Sequence, residues 1–107
     1  MKDFADETVK DMLEQIAKDK PQYPSDYAHE WADSATPIYN SDVFKLYCED
    51  KNGLIDDAFD AAINEGIVTE VKSIMEAIRL GIYFALDQAL SSAAYEWERE
   101  QDNEGEN

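Results

Sequence analysis

Apolar residues recur at steps of three and four between Thr69 and Gln101: Val71, Ile74, Met75, Ile78, Ile82, Leu86, Leu90, Ala93 and Trp97. This is the period of one helix face and not the alternation of a strand. The stretch holds no proline, and its one glycine, Gly81, costs about 1 kcal/mol in a helix interior. Thr69 predicts an N-cap, with Glu70 in the first turn, where the helix dipole favours a negative charge. At 1.5 Å per residue the predicted helix is roughly 48 Å long, far above the average for globular proteins. Leu80, Tyr83, Phe84, Ala85, Ala89, Ala94 and Tyr95 widen its apolar surface past one stripe. Either shorter helices of the same chain or a second copy must cover it. Ile78, Ile82, Tyr83, Leu86, Leu90 and Trp97 are the candidate seam for a core or a dimer.

Four shorter helical patterns precede it. Asp3 to Lys18 sets Phe4, Val9, Met12, Leu13 and Ile16 against outward Asp6, Glu7, Asp11 and Glu14. Pro21 and Pro24 interrupt the chain, and Ser25 predicts the cap of a second helix reaching Ala35, with Tyr27, Ala28 and Trp31 on its apolar side. After Thr36-Pro37, Asn40 or Ser41 predicts the cap of a third helix from Asp42 to about Glu49, offering Val43, Phe44, Leu46 and Tyr47 for burial. Glu49 to Gly53 reads as a turn. Leu54 to Asn64 is a fourth helix, and Gly66 suits the left-handed residue that closes one. The pattern predicts an all-α domain over residues 1–101: four short helices packed along one long C-terminal helix, elongated and homodimeric. Residues 102–107 are expected to form a disordered acidic tail.

Charge changes this picture more than any other property. The chain has 107 residues, enough for one domain with a modest core. It carries 25 Asp plus Glu against 9 Lys plus Arg, a formal net charge of -16. Self-repulsion on this scale weakens the compact state, so it calls for solubility, salt tolerance or a basic partner. Direct binding to nucleic acid or to an anionic membrane is excluded, because both need cations to neutralise phosphates. An aromatic content of 11% argues against disorder. The lone Cys48 forms no internal disulfide, no signal-peptide core follows Met1, and no run reaches the length of a membrane span. A cytoplasmic location is expected.

Candidate chemistry is thin. Cys48 to Phe59 partly matches a calcium loop through Asp50, Asn52, Gly53 and Ile55, but Cys48 and Phe59 stand where the first Asp and the bidentate Glu belong. His29-Glu30 begins like a zinc-protease helix, yet Asp33 stands where the second histidine is needed. With one His and one Cys, three strong nitrogen or sulfur ligands for catalytic zinc cannot be assembled. No phosphate-binding glycine loop or nucleophile elbow is present, and no carboxylate pair stands out as a general acid and base. The sequence therefore predicts a protein that is not an enzyme, with no metal and no cofactor.

The acids themselves remain. Asp33, Asp42, Glu49, Asp50, Asp56, Asp57, Asp60, Glu65, Glu70 and Glu76 fall singly or in pairs along the helices and turns. Held there, they would make a negative surface of fixed geometry. Duplex DNA carries one charge per about 1.7 Å, so a dimer of twice -16 matches about 54 Å of duplex.

The segment Tyr27 to Tyr47, YAHEWADSATPIYNSDVFKLY, resembles the small acidic phage antirestriction proteins of the Ocr type, through His29, Ala32, Asp33, Ala35, Pro37, Tyr39, Asp42 and Phe44. The long helix, with its Ile82-Tyr83 pair, continues the likeness over about two thirds of the chain. The resemblance implies an elongated all-α homodimer that imitates bent B-form DNA. Its expected partner is the basic DNA-binding channel of a host defence protein, a type I restriction and modification enzyme first, a CRISPR effector or other defence nuclease next. The candidate contact groups are the carboxylates named above. A different reading makes the protein an adaptor that binds through an aromatic groove around Trp31, Phe59, Tyr83 and Trp97, its acidity serving only solubility.

Overall fold

The computed structural model describes residues 1–105, with side chains as far as Glu100. Five helices follow in order: α1 (Lys2–Asp19), α2 (Pro24–Ala35), α3 (Asn40–Glu49), α4 (Leu54–Asn64) and α5 (Ile74–Gly105). No strand occurs among the described residues. The four shorter helices all pack on α5, as the apolar breadth of that helix demands. Its stripe of Ile78, Ile82, Leu86 and Leu90 is buried, continued by Ala94, and meets Met12 and Ile16 of α1, Ala28 and Ala32 of α2, Val43 of α3 and Ile55 of α4. Each fully buried Leu or Ile contributes about 1.5–3 kcal/mol. The seam residues Ile78, Ile82, Leu86 and Leu90 are therefore core within one chain, and Tyr83 and Trp97 border that core half-buried.

Local chemistry moves the element boundaries. The long helix starts at Ile74, not Thr69, because Ser73 takes the cap: its hydroxyl accepts from the Glu76 N–H at 3.1 Å. Glu76 reaches back to accept from the Lys72 N–H at 2.7 Å, an arrangement close to a capping box. Thr69, Glu70 and Val71 are left in the connector, and Ile74, expected on the buried stripe, is 79% exposed. At its far end α5 continues past Gln101 to Gly105, into the expected tail; residues 106 and 107 lie outside the described residues. Pro24, not Ser25, opens α2, since a first-turn residue needs no N–H. Neither Asn40 nor Ser41 caps α3. The Asn40 side-chain oxygen is instead held by Arg79 of α5 at 2.8 Å.

Two glycines close turns in the left-handed region. Gly66, at φ 76°, follows α4 in a Schellman arrangement: the Ile67 N–H donates to the Ala62 carbonyl and the Gly66 N–H to that of Ile63. Gly53, at φ 67°, precedes α4. Gly81 acts differently, because a Cβ there would lie 2.7 Å from both the side chain and the carbonyl oxygen of Ile55. Its bare backbone lets α4 land directly on α5. Contacts also fix direction: His29 meets Asp87 while Ile38 and Asn40 meet Arg79, so α2 runs antiparallel to α5. The molecule measures 51 × 27 × 22 Å, its length close to that estimated for the long helix.

Candidate acidic interaction surface

The fold distributes the acids over the outside. Up to Glu100, only Asp50, Glu76 and Asp87 are partly buried; every other carboxylate is exposed. Two helices are distinctive. α2 presents Asp26, Glu30 and Asp33, α4 presents Asp56, Asp57 and Asp60, and neither contains a Lys or Arg. Both pack against α5, α2 through Ala28 and Ala32 and α4 through Ile55, with Ala58 and Ala62 also buried. Small side chains on the inner face leave the polar residues of these short helices no direction but outward. Asp56 and Asp57 also occupy the first turn of α4, where the dipole stabilises them.

The candidate carboxylates divide by what their oxygens already do. Asp33, Asp42, Glu49, Asp56, Asp57, Asp60, Glu65 and Glu70 are exposed. Asp50 accepts from the N–H groups of Leu54 at 3.1 Å and Ile55 at 2.8 Å, fastening the start of α4. Glu76 fastens the start of α5. A structural duty accounts for the positions of these two. Sequence reasoning passed over Asp26 and Glu30, which complete the α2 row with Asp33. The available signal was the absence of any Lys or Arg between Lys20 and Lys45, and again between Lys51 and Lys72.

Little of this charge is neutralised locally. Among the described residues no Lys or Arg side chain lies within 4.0 Å of a carboxylate; the ion pair formed joins His29 of α2 to Asp87 of α5. Tyrosines partner several acids. The Tyr27 hydroxyl donates to Asp19, and that bond, then one from Gln15, holds the Asp19 carboxyl below the usual carboxylate range. The same bond to Asp19 pushes the Tyr27 phenol up. Tyr47 is pushed up by the charge of Asp56, 3.4 Å from its hydroxyl. Tyr83 is pushed up by burial first and then by Asp87 and Asp33. The Tyr27 and Tyr47 phenols serve as donors within the acidic field.

Of the aromatic residues considered for a groove, Trp31, Tyr83 and Trp97 border the main core, whereas Phe59 lies with Ile63, Val68 and Val71 under the connector after α4. No three His, Cys, Asp or Glu side chains converge on a metal-sized site among the described residues. None of the described helices is long and apolar enough to cross a membrane. No family model matches the chain, and neither the curated proteins nor the solved structures yield a match.

Proposed function

We propose that this protein is a non-enzymatic DNA mimic that occupies the basic DNA-binding channel of a host defence enzyme. The observation that carries the reading is the pair of base-free acidic helices, α2 and α4, fixed on α5 with no Lys or Arg paired to any carboxylate among the described residues. Unpaired carboxylates on rigid helices can meet a partner's Lys and Arg as phosphates do, without first breaking internal ion pairs. The linear charge density agrees. Sixteen net charges over a 51 Å axis give one per about 3.2 Å, close to the roughly 3.4 Å per phosphate of one DNA strand. A homodimer with its copies side by side would approach the density of a duplex. A type I restriction and modification enzyme is the first target, following the Ocr-type resemblance of residues 27–47. A CRISPR effector or another DNA-binding defence nuclease offers the same kind of channel.

The test is competition. Titrated into a type I restriction enzyme bound to labelled duplex, the protein should displace the DNA at low salt and lose potency steeply as salt rises. Neutralising Asp26, Glu30, Asp33, Asp56, Asp57 and Asp60 in groups should erode potency stepwise. Loss of all activity at low salt on neutralising any one of them would refute a distributed mimic.

A further inference from the structure

Asn52 and Gly53 lie at the tip of the turn that joins α3 to α4, and the peptide between them is open to chemistry. Asn52 is exposed, and a Cβ at Gly53 would meet nothing within 4 Å. An asparagine side chain closes into a five-membered imide when the backbone nitrogen of the next residue attacks its Cγ. A side chain on that next residue obstructs the approach, and glycine has none. The Gly53 N–H donates to the Asp50 carbonyl at 3.4 Å, longer than an ordinary N–H···O bond, so little holds this nitrogen in place.

Asn40 and Asn64 are placed differently. The Asn40 side-chain oxygen is bound by Arg79 at 2.8 Å, and Ser41 follows it. Asn64 ends α4, and the nitrogen that would attack it, that of Glu65, donates to the Ala61 carbonyl at 3.0 Å.

We propose that Asn52 is a site of self-modification, deamidating through a succinimide with Gly53 to a mixture of aspartate and isoaspartate. The Gly53 nitrogen loses its proton and bonds to the Asn52 Cγ. The bond from Cγ to the side-chain nitrogen breaks, and that nitrogen takes up a proton and leaves as ammonia. Water then adds to one of the two imide carbonyls. Cleavage at Cγ restores the ordinary peptide and leaves aspartate; cleavage at the main-chain carbonyl routes the chain through the side chain and leaves isoaspartate. The sum consumes one water and releases one ammonia, with no change of oxidation state.

Either product adds one negative charge to the formal -16, at the entrance to α4, whose first turn already holds Asp56 and Asp57. Isoaspartate does more, because it inserts an extra backbone carbon between Asp50 and Leu54. The Asp50 carboxylate accepts from the Leu54 and Ile55 N–H groups at 3.1 and 2.8 Å, and that register is lost when the turn lengthens. The turn that fastens α4 is thus also the point at which α4 loosens with age.

The experiment incubates the full chain at mildly alkaline pH, with the same chain unfolded in guanidinium chloride as the reference, and maps the digested peptides by mass and by isoaspartyl methylation. The mass rise of NH2 replaced by OH should appear in the peptide bearing Asn52 and not in those bearing Asn40 or Asn64. Its rate should lie within about tenfold of the unfolded chain, as an exposed turn opens at little cost. Asn52→Gln should abolish it, since its ring must close through one more carbon. The isoaspartate form, separated by charge, should unfold at lower urea than Asn52→Asp, which carries the same added charge on an ordinary backbone. An Asn52 left intact after the unfolded chain has reacted fully would overturn the site. An isoaspartate form as stable as Asn52→Asp would overturn the loosening of α4.

Discussion

Replacing Gly81 by alanine separates local from tertiary reasoning, because the two predict opposite signs. Helix propensity alone makes Gly81→Ala stabilising by about 1 kcal/mol. Packing opposes it, since the added Cβ would lie 2.7 Å from the Ile55 Cγ2 and 2.7 Å from the Ile55 carbonyl oxygen. A side chain can rotate away, but a carbonyl at the start of α4 moves only if the helix moves. Ile55, 1% exposed, would then lose its place against Ile82 and Leu86 in the core. Overpacking costs about 1–3 kcal/mol, and a backbone clash belongs at the upper end. Subtracting the propensity gain leaves a net loss of about 2 kcal/mol, or a Tm lower by roughly 8–16 °C for a domain of this size. Thermal and urea unfolding followed by circular dichroism at 222 nm would measure it. A Gly81→Ala protein as stable as the wild type, or more so, would refute the direct landing of α4 on α5.

Asp50→Ala removes the acceptor for two N–H groups at the start of α4 and should cost about 1–2 kcal/mol in urea unfolding, while weakening target binding no more than loss of any other single acid. Tyr27→Phe removes the donor that depresses the Asp19 carboxyl, so the Asp19 titration followed by NMR should move up toward the ordinary carboxylate range; an unmoved midpoint would refute the bond. The signs of linkage differ between the partners. A depressed Asp19 contributes stability above its unfolded pKa that is lost as pH falls through the lower folded value; a raised Tyr27 contributes below its unfolded pKa and loses it as pH rises through the higher folded value. The wild type should therefore lose this contribution at both extremes, and Tyr27→Phe at neither.

Much of the architecture was written in the periodicity. Ile78, Ile82, Leu86 and Leu90 had to leave water whatever covered them, and five helical segments followed from the spacing of apolar residues, prolines and turn glycines. The net charge and the base-free runs that became the α2 and α4 surfaces were equally local properties. Competing local signals were not decidable that way. Thr69 and Ser73 are both acceptable caps, and Glu76 four residues after Lys72 favours the second only once the connector has turned back from Gly66. Asp50 looked like any other acid until the Gly53 turn brought it beneath two open N–H groups.

What sequence alone determined, then, is which side chains avoid water and which stay charged, because those depend on each residue's own transfer free energy and period. Tertiary structure decided what covers them, because covering depends on how separate helices cross. It made the stripe of α5 a core within one chain, turned Gly81 from a weak helix position into the contact that seats α4, and left Ile74, which the period places on that same stripe, exposed.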